Sequence, residues 1–200
     1  MAEALDIRVL TGAAPALRAH LPDLARLRIS VFREFPYLYD GTPEYEEKYL
    51  QIYLDCAESV VVLALDAGRA IGASTGLPLA CETEEFTRPF IAAGLDPARI
   101  FYCGESVLLP AYRGRGLYKQ FFAAREAHAR ALGRFDRMVL CAVERPADHP
   151  RRPSDYQPLD AVWQRFAYRR RPDLFTHFAW KDLDEATESP KRMVFWEKSL

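Results

Sequence analysis

The stretch Glu105–Phe122, ESVLLPAYRGRGLYKQFF, places one carboxylate, two arginines, two glycines and a lysine between an apolar run and a helical pattern. Gly114 and Gly116 remove side chains that would keep a ligand from the backbone. The helix that follows starts with free N–H groups and a positive dipole end, a geometry that holds phosphate oxygens. Arg113, Arg115 and Lys119 add positive charge where a pyrophosphate or a 3′-phosphate would lie. Gly-x-Gly alone describes a solvated turn with a basic cap equally well, so the elements around it decide.

Upstream, strand alternation puts Phe101, Cys103, Glu105, Val107 and Leu109 on one face. Glu105 is then a carboxylate among apolar neighbours, and desolvation would raise its pKa toward the range useful to a general base. The plainer alternative is a rim glutamate, or one paired with an arginine from a long downstream loop.

The elements that must position these groups follow from periodicity. Asp6–Leu10 alternates as a first strand, and apolar residues recur at helical spacing from Pro15 to Arg33. Glu34–Pro43 is an aromatic loop, and Glu44–Cys56 is a second helix. Ser59–Asp66 and Ala70–Ala80 form an antiparallel hairpin about a tight turn. Glu82–Leu95 is helical, Ile100–Leu109 is one long strand, Gly116–Leu132 a helix and Arg137–Val143 a buried strand. The proline-rich, charged Glu144–Pro158 is a long loop. A short helix over Leu159–Tyr168 leads into two paired strands, Leu174–Leu183 and Arg192–Ser199. No repeat, linker or low-complexity tract divides residues 1–200, which are read as one domain: an α/β (α+β type) mixed sheet with helices on its faces.

In this strand–loop–helix setting, LLPAYRGRGL resembles the acetyl-CoA signature of the GNAT superfamily of N-acetyltransferases, Arg/Gln-x-x-Gly-x-Gly/Ala. The match runs over Arg113, Gly114, Arg115, Gly116, Leu117 and Tyr118, and the order of elements matches that family across essentially the whole chain. Tyr118 departs from the pattern, because a small residue is usual there, and it implies crowding at that helix turn. The resemblance implies a central, mostly antiparallel sheet splayed between its fourth and fifth strands. The pantetheine arm of acetyl-CoA would enter the splay and meet the backbone of Val107, Leu108 and Leu109. Arg113–Lys119 would wrap the pyrophosphate. A glutamate in this strand often serves as the base in that family, which implies the role for Glu105. The implied activity is acetyl transfer from acetyl-CoA directly to an amine, on a small molecule or a peptide. Alternatives within the same fold are a CoA-binding sensor, a catalytically silent relative, or an acyltransferase for longer chains.

An alkyl ammonium must lose a proton before it attacks, and the thiolate of CoA must leave. The family's usual acid, a tyrosine in the last helix, is replaced here by Trp163, and an indole cannot donate its proton as a phenol does. Tyr156 in the proline-rich loop is the candidate acid, with Tyr168 as a second. The family's asparagine after the following strand is also missing, with Glu144 and Arg145 in its place.

Other residues read as structural. His128 and His177 fall on core-facing positions, His149 in a solvated loop, and Cys103 has no base at suitable spacing. Cys56, Cys81, Cys103 and Cys141 show no metal-ligand spacing and read as free thiols, and no metal is expected. Two loops could select the acceptor. The first carries Phe35, Tyr37, Tyr39 and Asp40 with Glu44, Glu46 and Glu47 beyond it, and suits a cationic amine. The second carries Arg145, Arg151 and Arg152, and suits a carboxylate or phosphate. A net charge of −1 over 200 residues argues against a nucleic-acid partner. The N-terminus lacks a signal-peptide pattern and no apolar run would span a membrane, so a cytoplasmic protein is expected. A homodimer is compatible, because terminal strands in that family often pair or exchange between subunits.

Overall fold

The computed structural model describes residues 5–200. Eight strands form one sheet in the order β1-β2-β3-β4-β6-β8-β7, with β5 paired to β3. They are β1 (Asp6–Thr11), β2 (Val60–Asp66), β3 (Arg69–Pro78), β4 (Ile100–Cys103), β5 (Ser106–Leu108), β6 (Arg137–Val143), β7 (Arg169–Trp180) and β8 (Ser189–Ser199). All pairs are antiparallel except β4–β6. The β2–β3 hairpin turns on Ala67 and Gly68, both at positive φ (46° and 78°), as a tight two-residue turn requires.

Helices α1 (Pro15–Phe32), α2 (Pro43–Asp55) and α3 (Glu84–Ala92) cover one face, and α4 (Leu117–Leu132) and α5 (Asp160–Arg165) lie toward the other. Prolines open α1 and α2, and the Thr42 hydroxyl accepts from the Tyr45 N–H to cap α2. Sheet residues divide by parity. Val61, Leu63 and Leu65 of β2 join the α1–α3 side, while Val60, Val62 and Ala64 join the α4–α5 side. Each is buried, and each valine or leucine among them contributes on the order of 1.5–3 kcal/mol.

The long strand expected over Ile100–Leu109 is two strands. Tyr102 pairs with Leu77 and Ser106 with Ser74, so four steps on this chain face three on β3. The extra residue is a bulge at Gly104–Glu105, and it reverses the faces. Phe101 and Cys103 point toward α4, whereas Val107 joins the α1–α3 core. Glu105 therefore does not share a face with Phe101 and Cys103 as alternation predicts.

Other boundaries shift slightly. α3 starts at Glu84 because Thr83 is its N-cap, and α5 ends at Arg165, leaving Tyr168 outside it. β7 begins five residues early, at Arg169. Its Arg-Arg-Arg start pairs with Phe195–Glu197 of β8, where Glu197 receives Arg171 and Arg137.

Candidate active site

The bulge also opens the sheet. β4 pairs with β6 from Ile100–Arg137 to Cys103–Leu140, and there the pairing stops. Beyond it β5 bonds only to β3, and Cys141–Val143 bond only to β8. A cleft of about 1460 Å³ fills the gap. Cys103–Ser106 line one side of it, Leu140–Val143 the other, and Gly114, Gly116 and Tyr118 its mouth.

The register of β5 selects which backbone groups face the cleft. The Thr75 N–H donates to the Glu105 carbonyl and the Leu109 N–H to the Ile71 carbonyl. Alternation gives Val107 the same direction, toward β3. The backbone groups left for the cleft are those of Ser106 and Leu108. Of the three residues expected to lend backbone, only Leu108 is so placed, and its carbonyl already accepts from Arg113 Nε at 3.2 Å. Ser106, one residue upstream of the expected run, is the other residue whose backbone faces the cleft.

Gly114 and Gly116 hold φ of 76° and 79°, and a Cβ on either would meet no atom within 4 Å. Their need for glycine in this chain is conformational. Gly116 caps α4, whose first free N–H groups, on Leu117 and Tyr118, open toward the mouth. The charges expected to cradle phosphate are partly spent. Arg113 forks onto Glu34 at 2.9 and 3.1 Å, and Arg115 donates to the Ala111 carbonyl while stacking over Tyr112. Lys119 makes no ion pair among the described residues. Tyr118 fills the departure from the family pattern with its ring, 5.4 Å from Phe122 and close to Ser106 and Trp163. Burial pushes its phenol up, against the pull of the Arg125 charge.

Glu105 is 6 % exposed and lines the cleft, yet its neighbours are not apolar. Oε2 accepts from Arg28 Nη1 at 2.8 Å and from the Tyr53 hydroxyl at 3.3 Å. The desolvated, unpaired carboxylate expected from the sequence is thus an ion-paired one, and its partner comes from α1 rather than from the long loop. Arg28 Nε also bonds Glu46, fully buried on α2, so Glu46 belongs to this network and not to an acceptor surface. Burial would pull the Arg28 guanidinium down, but Glu105, Tyr49 and Glu46 outweigh it and hold it well above its usual value. Glu105 Oε1 has no protein partner.

From the opposite face Arg125 reaches the same bulge. Its Nη1 donates to the Thr75 and Glu105 carbonyls, each at 3.3 Å, while Nε and Nη2 are buried without partners. Neither Arg28 nor Arg125 was singled out from the sequence, since each looks like an ordinary surface arginine of an amphipathic helix. Gly104 completes the bulge: a Cβ there would stand 2.3 Å from Tyr53 Oη and 2.7 Å from Thr75 Oγ1.

Tyr156 lies on the same cleft with its ring edge against Phe35 at 4.7 Å, and burial pushes its phenol up. Trp163 lines the cleft and packs on Trp196. Tyr168 is in the core with its hydroxyl facing Cys103 Sγ at 3.6 Å, away from any acceptor. Cys141 faces Tyr102, and burial pushes its thiol up to about 12. His128 spends Nε2 on the Glu58 carbonyl. Among the described residues no His, Cys, Asp or Glu grouping could hold a metal.

The overall fold recurs in solved structures. An Arabidopsis thaliana NAA60 in complex with acetyl-CoA superposes with a TM-score of 0.63 at 15 % identity, covering 98 % of this chain and 99 % of that one. A GNAT-family acetyltransferase from Streptococcus pneumoniae gives 0.59 at 13 %, covering 98 % and 100 %. The fold is that of the GNAT acetyltransferases. A Brucella melitensis ribosomal-protein-alanine N-acetyltransferase shares this GNAT fold at TM-score 0.61 and 14 % identity, covering 98 % and 99 %. No family model and no curated protein sequence matches the chain.

Proposed function

We propose that this chain is an acyl-CoA N-acyltransferase, most simply an N-acetyltransferase acting directly on an amine. The observation that carries the reading is the cleft between β5 and β6, with the positive-φ glycines and the free N–H end of α4 at its mouth. The residues fit acetyl-CoA. Loop and first-turn N–H groups suit a pyrophosphate, with Lys119 and Arg115 nearby. The cleft-facing backbone of Ser106 and Leu108 suits an amide-bearing arm. Acetyl-CoA would supply the activated acyl group as a thioester.

Within that reading Glu105 takes the proton from the acceptor, directly or through water, because it is the buried carboxylate of the cleft, at the point where the sheet opens. Arg28 and Tyr53 hold its side chain in one orientation, and Arg125 fixes its carbonyl from behind. Tyr156 is the phenol on the acceptor side that could protonate the departing thiolate. Excess acetyl-CoA should raise the melting temperature by mass action, and Gly116→Glu should abolish the shift. An unchanged melting curve with excess acetyl-CoA would sink the reading.

A second reading keeps the fold without turnover, as a CoA-binding sensor. The ion pair between Arg28 and Glu105 favours it, because the carboxylate is already engaged by a buried side chain of the protein itself. Binding without CoA release on any amine would select it. Longer acyl chains are tested by the same thermal shift with a chain-length series. The reading places the protein in the cytoplasm; no helix among the described residues is long and apolar enough to cross a membrane. A homodimer is checked by light scattering.

A further inference from the structure

Resting on the acyltransferase reading, we propose that the amine acceptor carries a carboxylate and that Arg152 binds it. The charges of the acceptor side show this once each is followed to its partner. The acids of the α1–α2 segment, which would suit a cationic acceptor, are paired or lie off the cleft: Glu44 and Glu47 are exposed and do not line it, and the others are spent. Both Glu34 oxygens receive Arg113, Asp40 receives Lys181 and Arg33, and Glu46 is buried against Arg28.

The arginines of the β6–α5 loop are not equally spent. Arg145 is saturated: it donates to the Pro36 and Tyr37 carbonyls, each at 2.8 Å, and pairs with Asp182, also at 2.8 Å. It pins the aromatic loop and has nothing left for a ligand. Arg151 stands 3.8 Å from Asp184 at the surface. Arg152 is half-buried on the cleft wall, with its guanidinium carbon 4.9 Å from the Tyr156 ring centre and 5.9 Å from that of Phe35. It has no carboxylate within ion-pair distance, and its side chain donates no hydrogen bond among the described residues.

A guanidinium has five N–H donors on its edge and two flat faces. Here the Tyr156 and Phe35 rings, whose centres are 4.7 Å apart, both lie to one side of the guanidinium, and its donors remain for a ligand. Such a fork is oriented before anything binds and matches the two oxygens of a carboxylate. The balance nearby points the same way, because Arg170 and Arg192 share the single carboxylate of Glu144. Asp155 and Asp160 are exposed at the rim. They would disfavour a more highly charged phosphate more than a carboxylate.

The test measures CoA release from acetyl-CoA with three sets of probes. These are α- and ω-amino acids, the corresponding amines without the carboxylate, and O-phosphoethanolamine. At least one amino acid should exceed its decarboxylated amine in kcat/KM by tenfold or more. Arg152→Gln should erase that ratio mainly through KM, with Arg152→Lys between the two, while the thermal shift by acetyl-CoA stays unchanged. Amines equal to or better than amino acids, phosphoethanolamine as the preferred probe, or an unchanged ratio in Arg152→Gln would overturn the proposal. So would absence of CoA release from every probe with the thermal shift intact, which leaves CoA binding standing. Loss of the shift in the native chain would overturn the acyltransferase reading along with it.

Discussion

Arg28 Nη1 stands 2.8 Å from Glu105 Oε2, and both side chains are buried between α1, α2 and the bulge. The pair fixes the cleft carboxylate from outside the cleft, through a helix that contributes no acceptor contact of its own at that point. It also ties two acids to one cation, since Arg28 bonds Glu46 as well.

Removing Arg28 leaves two buried carboxylates without their cation. Arg28→Ala should therefore lose about 3–5 kcal/mol in denaturant unfolding. Glu105→Gln keeps Arg28 with Glu46 and should cost less stability, yet lower kcat by about 10²–10⁴ if Glu105 is the base. Full activity in Glu105→Gln would remove it from the mechanism. Equal stability losses in the two variants would deny the shared-cation geometry.

Glu82 lies behind the same network. Burial raises its carboxyl from 4.5 to about 7, despite a bond from the Thr83 N–H, with Glu105 adding to the rise. The folded chain then holds this proton where the unfolded chain has lost it. Stability falls as pH rises through about 4.5 to 7 and is level above. The full penalty is on the order of 3 kcal/mol. Glu82→Gln mimics the protonated acid, so its advantage over the native chain should be small at pH 4.5 and largest at pH 8. An advantage that does not change with pH would refute the shift.

Arg113 is held by Glu34 across the cleft mouth, with both side chains nearly half exposed. An exposed pair is worth about 1 kcal/mol or less. If Arg113 serves the pyrophosphate, Glu34→Gln should tighten acetyl-CoA binding by a few-fold in calorimetry, most at low salt. Weaker binding would mean that the Glu34–Arg113 latch itself shapes the site.

Much of this architecture was legible in the chain because local signals agreed: Pro15 at the start of α1, Ala67–Gly68 at the hairpin, and Gly114 and Gly116 before α4. What stayed hidden depends on one inserted residue and on distant partners. Gly104 inside YCGESVLL is a bulge signal that simple alternation ignores, and alternation carried across it assigns the wrong face to Glu105. Arg28, Glu46 and Arg125 read as polar helix positions until the sheet brings them beneath the bulge. Cys56 and Cys81 are likewise far apart in sequence, but their sulfurs are 2.7 Å apart. The charges of Arg113 and Arg145 were visible, but not that Glu34 and Asp182 would claim them.

Gly104 gives the sharpest test of the bulge, because there the need for glycine is one of space. A Cβ would press on Tyr53 Oη at 2.3 Å and Thr75 Oγ1 at 2.7 Å, both of which serve Glu105. Gly104→Ala should cost about 1–3 kcal/mol, the range for overpacking a buried site. It should also displace Glu105 and lower turnover. Tyr53→Phe removes the nearer obstacle at the expense of the hydrogen bond it donates to Glu105 and the one it accepts from Thr75. The double variant Gly104→Ala/Tyr53→Phe should then be more stable than the sum of the two single losses by roughly 0.5–3 kcal/mol, the coupling expected of residues in contact. Strict additivity in that cycle would show that the Tyr53 hydroxyl does not press on the bulge.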